Sequence, residues 1–157
     1  MVSSSEFTQI IRQFMDLAMY HMMRERSRIA KANGLSMPQL GVLMQLHYHG
    51  NCGVSDLSDR FDITNAAASQ LVDKLVQNGL ILREEDPTDR RAKLLNLTEK
   101  GEELVRQGVD GHYRWVNQLA GKLTSEERAK VAEAMTILTE TARQTDEFSK
   151  PVERYAH

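Results

Sequence analysis

Residues 80–101 constrain the fold of this chain most, because three structural signals follow one another there without a gap. Residues 80–85 and 92–97 alternate apolar and polar side chains, which is the period of a half-buried strand. The loop between them is short and polar and ends in two adjacent arginines. A helix-start signal follows at Thr98. The segment predicts a β-hairpin that presents arginines to solvent and leads into a helix, a shape suited to contacting DNA.

Length and composition favour one globular domain. The chain has 157 residues, of which 41% are hydrophobic and 27% charged. No apolar run approaches the roughly 18 residues of a membrane span, and the N-terminus lacks the features of a secretory signal. The single cysteine cannot form an intrachain disulfide. We therefore expect a cytoplasmic protein without membrane association.

The net charge of −2 counts mildly against nucleic-acid binding, because DNA-binding domains usually carry a basic surface. It does not exclude that function, since a dimer can concentrate a few arginines locally while acidic residues lie elsewhere.

Apolar spacing and capping signals predict six helices, four before the hairpin and two after it. The predicted order, α-α-α-α-β-β-α-α, is a mainly α fold with one small β-hairpin. Ser55 and Thr64 are the expected N-caps of the third and fourth helices, and Thr124 with Glu127 forms a capping box before the sixth. The predicted helices cover approximately residues 6–31, 37–48, 55–61, 64–78, 99–121 and 124–143.

The first, fifth and sixth helices carry more apolar residues than the small central unit can cover. A plain antiparallel bundle is one interpretation of these helices. A two-fold homodimer is the commonest way to bury such stripes, and we expect the three helices to form a shared dimer interface.

Residues 54–79 have helix-turn-helix form, with a short helix, a turn at residues 62–63 and a longer helix. The longer helix has an apolar stripe on one face, formed by Ala68, Leu71, Val72 and Leu75. Its opposite face is polar and, at the start, small enough to lie deep in a major groove. That face comprises Asn65, Ala66, Ser69, Gln70 and Asp73.

Asparagine and glutamine side chains can pair with adenine, and an alanine can contact a thymine methyl group. The hydroxyl groups of Thr64 and Ser69, with the free amides of the helix start, suit phosphates. An ordinary solvated face is the alternative for this helix. The hairpin that follows it favours DNA contact.

Residues 54–101, VSDLSDRFDITNAAASQLVDKLVQNGLILREEDPTDRRAKLLNLTEKG, resemble the winged helix-turn-helix of the MarR (multiple antibiotic resistance regulator) family. The runs LVDKL, NGL, DPTDRR and LTEKG carry the resemblance. It implies a homodimeric repressor of transcription, which binds double-stranded DNA at a near-palindromic operator. Recognition helices would enter major grooves about 34 Å apart, with wings reaching the flanking minor grooves.

The resemblance also implies how one domain, 1–157, is organised. The winged helix-turn-helix lobe would cover residues 35–98, and the dimerisation helices residues 6–33 and 99–145. Residues 146–157 would form a tail.

In the wing of this family an aspartate pairs with an arginine two residues later, and that arginine enters the minor groove. These positions match Asp89 and Arg91, and Arg90 between them would hold phosphate. The chain departs from the family pattern at Gln70, where many relatives carry arginine, and at Ala66-Ala67, where hydroxyl residues are frequent. The expected DNA-binding residues are Ser55, Thr64, Asn65, Ala66, Ser69, Gln70, Lys74, Asp89, Arg90 and Arg91.

The resemblance further implies a small lipophilic or phenolic effector, bound between the dimer helices and the DNA-binding lobe. Methionines are frequent in the first two helices and can adapt to irregular apolar ligands, although methionine at helical spacing is more often core. The expected effector site is formed by Met19, Tyr20, Met44 and His47.

Cys52 lies at the entrance to the helix-turn-helix, where it could sense oxidants or simply pack. The family's redox cysteine lies near the start of the first helix, where this chain has none. His47 and His49 are two residues apart and do not face each other on a helix, so we expect no metal and no cofactor.

No phosphate-binding loop, nucleophile elbow or metal-ligand pattern is present, so we expect no enzymatic activity. The remaining alternative is a winged-helix protein that binds another protein rather than DNA. Asp89, Arg90 and Arg91 favour DNA, because a hairpin that faces only protein does not need such a tip.

Overall fold

Six helices and one two-stranded antiparallel sheet form the part of the chain that the computed structural model describes, residues 2–85 and 93–145. The predicted order of elements and the mainly α fold are confirmed. In chain order the elements are α1 (Ser4–Ala32), α2 (Met37–His49), α3 (Val54–Phe61), α4 (Asn65–Gln77), β1 (Ile81–Glu85), β2 (Lys93–Leu97), α5 (Glu99–Lys122) and α6 (Ser125–Thr145).

α1 begins at Ser4, two residues before the predicted start at Glu6. The cause is an N-cap that the apolar pattern did not reveal. The Ser3 hydroxyl accepts a hydrogen bond from the Glu6 amide at 3.2 Å, so the polar residues 4 and 5 join the first turn.

The N-cap predicted for α3 is wrong. The helix starts at Val54 and its cap is Gly53, so Ser55 lies inside the first turn with its side chain exposed. The Gly53 amide donates to the Asp56 carboxylate at 2.8 Å. A carboxylate at the third helical position reaches back to the cap residue, and this contact places the helix start one residue earlier than a serine cap would.

The turn between α3 and α4 has a left-handed residue at its centre. Asp62 has φ 51° and ψ 48°, a conformation that aspartate tolerates better than most residues. The Ile63 amide donates to the Ser58 carbonyl at 3.0 Å and closes the end of α3. The Thr64 hydroxyl then accepts from the Ala67 amide at 3.2 Å, which confirms Thr64 as the N-cap of α4.

The hairpin pairs Ile81 with Leu97 at its base and Glu85 with Lys93 at the end of the described ladder. Cys52 extends the sheet by one bridge, because the Leu95 amide donates to the Cys52 carbonyl at 2.9 Å. The predicted loop at residues 86–91 lies outside the described residues, and so does the wing tip formed by Asp89, Arg90 and Arg91.

The core lies where α2, α3, α4 and the hairpin meet, with the end of α1 and the start of α5 packed against it. The predicted stripe of α4 is confirmed as its buried face, with Leu71 half-buried at the edge. The largest side chains that are fully buried in this core are those of Leu40, Val42, Leu43, Leu57, Val72, Leu75, Ile81, Leu95 and Val105.

The chain divides into two compact units, Met1–His112 and Tyr113–His157, with the boundary inside α5. In the second unit the predicted capping box opens α6. The Thr124 amide donates to Glu127 Oε2 at 2.8 Å, and the Glu127 amide donates to the Thr124 hydroxyl at 3.2 Å. The Thr124 hydroxyl also lies 2.9 Å from Glu127 Oε2, and the hydrogen bonds from the Thr124 amide and hydroxyl to the ionised carboxylate lower the pKa of Glu127.

The first turn of α5 docks on the backbone that joins α4 to β1. The Thr98 amide donates to the Leu80 carbonyl at 3.1 Å, and the Thr98 hydroxyl donates to the Gly79 carbonyl at 2.7 Å. Gly101 faces this contact, and a Cβ atom there would overlap the Leu80 carbonyl oxygen. The approach of α5 to Leu80 therefore requires a residue without a side chain.

Gly101→Ala is expected to lower the free energy of unfolding by about 1–3 kcal/mol, because backbone must move to admit the methyl group. Gly121→Ala is the matched control, since it lies in the same helix with open space around it. That change should raise stability by up to about 1 kcal/mol. Urea unfolding followed by circular dichroism measures both, and equal stabilities of the two variants would contradict the packing argument.

Candidate nucleic-acid interface

The residues of α4 that the sequence predicts to contact DNA lie along one outer face of the helix. Asn65, Ala66, Gln70 and Lys74 are exposed, and Ser69 is half-buried. The buried stripe on the other side of the helix presses α4 against the core, so this outer face is held in a fixed orientation. Ser55 and Thr64, which are also predicted DNA contacts, are exposed, whereas Asp89, Arg90 and Arg91 lie outside the described residues.

Ser58 orients the start of this face, although the sequence reasoning did not single it out. It is a buried polar residue of α3, and its hydroxyl oxygen lies 3.0 Å from Asn65 Oδ1. The same hydroxyl lies 2.8 Å from the Ser55 carbonyl oxygen. One sequence signal could have identified Ser58. It follows Leu57 on the buried side of a short helix, where a polar group needs a hydrogen-bond partner.

Arg83 is the second side chain that the sequence reasoning did not single out. It lies in β1, and its Nη2 atom lies 2.7 Å from Asp73 Oδ1 on α4. Asp73 belongs to the predicted recognition face. The ion pair therefore connects the strand that leads to the wing tip with the helix predicted to read the bases.

The acidic residues Glu84 and Glu85, at the far end of the described ladder, also have partners. Lys93 Nζ lies 3.1 Å from Glu85 Oε1, and the two residues are opposite each other in the ladder. The Asn96 amide donates to the Glu84 carboxylate. The negative charge of β1 is thus held by side chains of β2 rather than presented alone to solvent.

An open cavity of about 440 Å³ lies between the start of α2 and the outer face of α4. At its α2 side the Ser36 amide donates to Gln39 Oε1 at 2.8 Å, in a capping box that orders the helix start. None of the four residues of the expected effector site lines it. The lining residues are Ser36, Pro38, Gln39, Phe61, Ile63, Ala67, Gln70, Leu71 and Lys74.

The four expected effector residues have different environments. Met19 and Tyr20 lie on α1 with about half of their surface exposed, at 49% and 59%, whereas Met44 is buried in the core. His47 on α2 is partly buried, and its Nδ1 atom lies 3.0 Å from Glu102 Oε2 on α5. The core interpretation of the methionines therefore suits Met44 but not Met19.

Cys52 is buried, and its backbone is bridged to Leu95. Burial raises the pKa of the Cys52 thiol, the Asp56 carboxylate raises it further, and Arg60 acts in the opposite direction. Because the thiolate is the reactive form of cysteine, these features favour the packing interpretation of Cys52.

Over residues 2–85 and 93–145, no group of three or more His, Cys, Asp or Glu side chains could hold a metal ion. Within the same residues, no helix is both long enough and apolar enough to cross a bilayer.

Comparison with known proteins identifies the family of the chain. The model of the MarR family matches residues 35–93. The HTH-type transcriptional repressor MdtR of Bacillus subtilis is 32% identical over 114 residues, which cover 73% of each chain.

Two solved structures show the same fold. The transcriptional regulator Tm0710 of Thermotoga maritima superposes with a TM-score of 0.78 at 21% identity, over 90% of this chain and 96% of that one. The S. aureus MepR–DNA complex superposes with a TM-score of 0.65 at 20% identity, over 83% of this chain and 98% of that one. The chain therefore belongs to the MarR family of winged helix-turn-helix transcriptional regulators.

Proposed function

We propose that this protein is a DNA-binding transcriptional repressor that acts in the cytoplasm as a homodimer on a near-palindromic operator. The observation that carries the proposal is that the outer face of α4 is exposed beside the hairpin. This face is polar and small enough to enter a major groove, and the hairpin beside it corresponds to a wing. Two relatives support it: MdtR is named a repressor, and MepR has been solved in complex with DNA.

In this proposal α4 enters the major groove. Asn65 and Gln70 contact base edges, and Ala66 contacts a thymine methyl group. Thr64, at the start of the helix, contacts phosphate together with the free backbone amides there. Lys74, one turn after Gln70, adds a phosphate contact.

The proposed role of the wing rests on the family resemblance. Arg91 inserts into a flanking minor groove, where the negative potential attracts arginine, and Arg90 contacts phosphate. Asp89 orients Arg91 through an exposed ion pair worth only about 0–1 kcal/mol, so the arginine stays free to enter the groove.

Arg91→Ala is expected to weaken operator binding by at least about tenfold, which corresponds to about 1.4 kcal/mol. The target duplex comes from selection on a random-sequence library, with the DNA upstream of the chain's own gene as a second target. Fluorescence anisotropy at fixed salt measures the affinity. Arg106→Ala is the matched control, because this exposed arginine of α5 pairs with Glu103 and is not among the expected DNA contacts.

Unchanged affinity in the Arg91 variant would contradict the wing assignment alone. Failure of the unmodified protein to select any duplex would contradict DNA binding itself. It would favour the alternative of a winged-helix module that binds protein.

The homodimer is proposed from apolar surface that each unit leaves exposed. On α1 an exposed stripe follows helical spacing, and on α6 a second set of large apolar residues is exposed. Exposed apolar surface of this kind marks interaction sites in soluble proteins, and a second copy of the chain would cover it. Among these exposed residues are Phe7, Ile10 and Leu17 on α1 and Val131, Met135 and Ile137 on α6.

Ile10→Asp is expected to weaken dimerisation by at least about tenfold, because a charge would be buried in an apolar interface. Thr8→Asp is the control: Thr8 is exposed on the other side of α1, near a helix start where aspartate is favourable. Light scattering across a dilution series gives the dimer dissociation constant. Equal dissociation constants for the two variants would exclude this stripe from the interface.

A lipophilic or phenolic effector is proposed to bind near Met19, Tyr20, Met44 and His47 and to lower operator affinity. Tyr20→Ala should then remove the response to aromatic acids while leaving effector-free binding unchanged, since Tyr20 lies outside the expected DNA surface. Anisotropy titrations with and without aromatic acids and lipophilic toxicants measure the response. If none of these compounds changes the affinity of the unmodified protein, the effector proposal fails.

A further inference from the structure

The ion pair between Arg83 and Asp73 lies on the surface proposed to bind DNA, yet neither residue is among the expected DNA contacts. Asp73 follows Ser69 by four residues and Gln70 by three, so its carboxylate lies on the same face of α4 as those side chains. A bare carboxylate there would be brought close to the phosphates, which carry one negative charge per about 1.7 Å of duplex.

The pairing of the hairpin explains how Arg83 reaches α4. Arg83 is opposite the buried Leu95, and the next inward position on the same strand is the buried Ile81. Side chains alternate along a strand, so Arg83 lies on the side of the hairpin that faces the core rather than on the outer side. A long side chain at this inward position can pass the edge of the core and present its charged end beside α4.

The fold has little need of this contact. The Arg83 and Asp73 side chains are 38% and 51% exposed, and ion pairs exposed to this extent contribute little to stability. The value of the pair changes when DNA approaches, because excluding water lowers the local dielectric and strengthens each charge interaction.

We propose that Arg83 is a positioning residue for DNA binding: it holds and neutralises Asp73, so that the outer face of α4 can approach the phosphates. The inference rests on the proposed function. Arg83 acts through Asp73 and contacts no base itself.

A double-mutant cycle tests this proposal on the duplex selected above. Arg83→Gln should weaken binding by about five- to tenfold, because it leaves the Asp73 carboxylate uncompensated near phosphate. Asp73→Asn should bind at least as tightly as the unmodified protein. In the Asp73→Asn background, Arg83→Gln should change the affinity by less than about twofold, since no charge remains to be neutralised.

Three further readouts separate this role from a structural one. Arg83→Lys should restore binding to within about threefold, because the positive charge is kept. The coupling between the two positions should shrink as salt rises, since it is electrostatic. The thermal unfolding midpoints of all four variants should lie within about 4 °C of that of the unmodified protein.

An equal loss from Arg83→Gln in both backgrounds would overturn the proposal and make Arg83 a direct DNA contact. A loss of affinity that follows a loss of thermal stability would overturn it in favour of a packing role. If the unmodified protein binds no duplex, the proposed function fails together with the inference. If it binds and the two changes are additive, only the inference fails.

Discussion

The docking of α5 on the Gly79–Leu80 backbone is the interaction on which the geometry of the proposed DNA-binding surface depends. Gly79, with φ +68°, follows the C-cap residue of α4. Leu80 is buried and directly precedes β1. Thr98 bonds to both carbonyls, and its hydroxyl accepts from the Gly101 amide at 3.0 Å. One turn of α5 thus holds the end of the recognition helix and the start of the wing together, so neither can rotate without breaking this contact.

Charge placement explains how a chain with net charge −2 can present a surface for DNA. On the described part of this surface, Asp73, Glu84 and Glu85 each have a cationic or amide partner. Exposed pairs of this kind add little stability, so their main consequence is electrostatic. The two ion pairs, Arg83–Asp73 and Lys93–Glu85, offset negative charge at short range, where screening by salt is least effective. Overall net charge is therefore a poor guide to what this surface binds.

The elements were predictable from sequence because their signals are local. The apolar stripe of α4 and the Thr64 cap each lie within one helix and its first turn, and the hairpin lies within one alternating segment. The N-cap of α3 was not predicted correctly because it depends on a hydrogen bond between the Gly53 amide and the Asp56 carboxylate. Ser55 is itself a common N-cap residue, so the sequence favoured the wrong position.

The contacts between elements were beyond the sequence reasoning for a different reason. The partner of Arg83 is ten residues away on another element, and only the strand register shows that Arg83 faces inward. The partnership of Ser58 with Asn65 likewise crosses a turn whose geometry depends on the left-handed Asp62. Residue types were enough to identify the candidate surface. Its charge balance could be seen only once the structure showed which side chains pair with each other.

The position of Glu102 suggests how an effector could act on this surface. Glu102 follows Gly101 directly on α5, and its carboxylate contacts His47, a member of the proposed effector site on α2. The same turn of α5 therefore contacts both α2 and the junction between the recognition helix and the wing. A ligand shifts such an arrangement only as far as it binds one state better than the other. An effector that competes for His47 would weaken one of the two contacts of this turn, and the loss would be transmitted through Thr98 to Leu80.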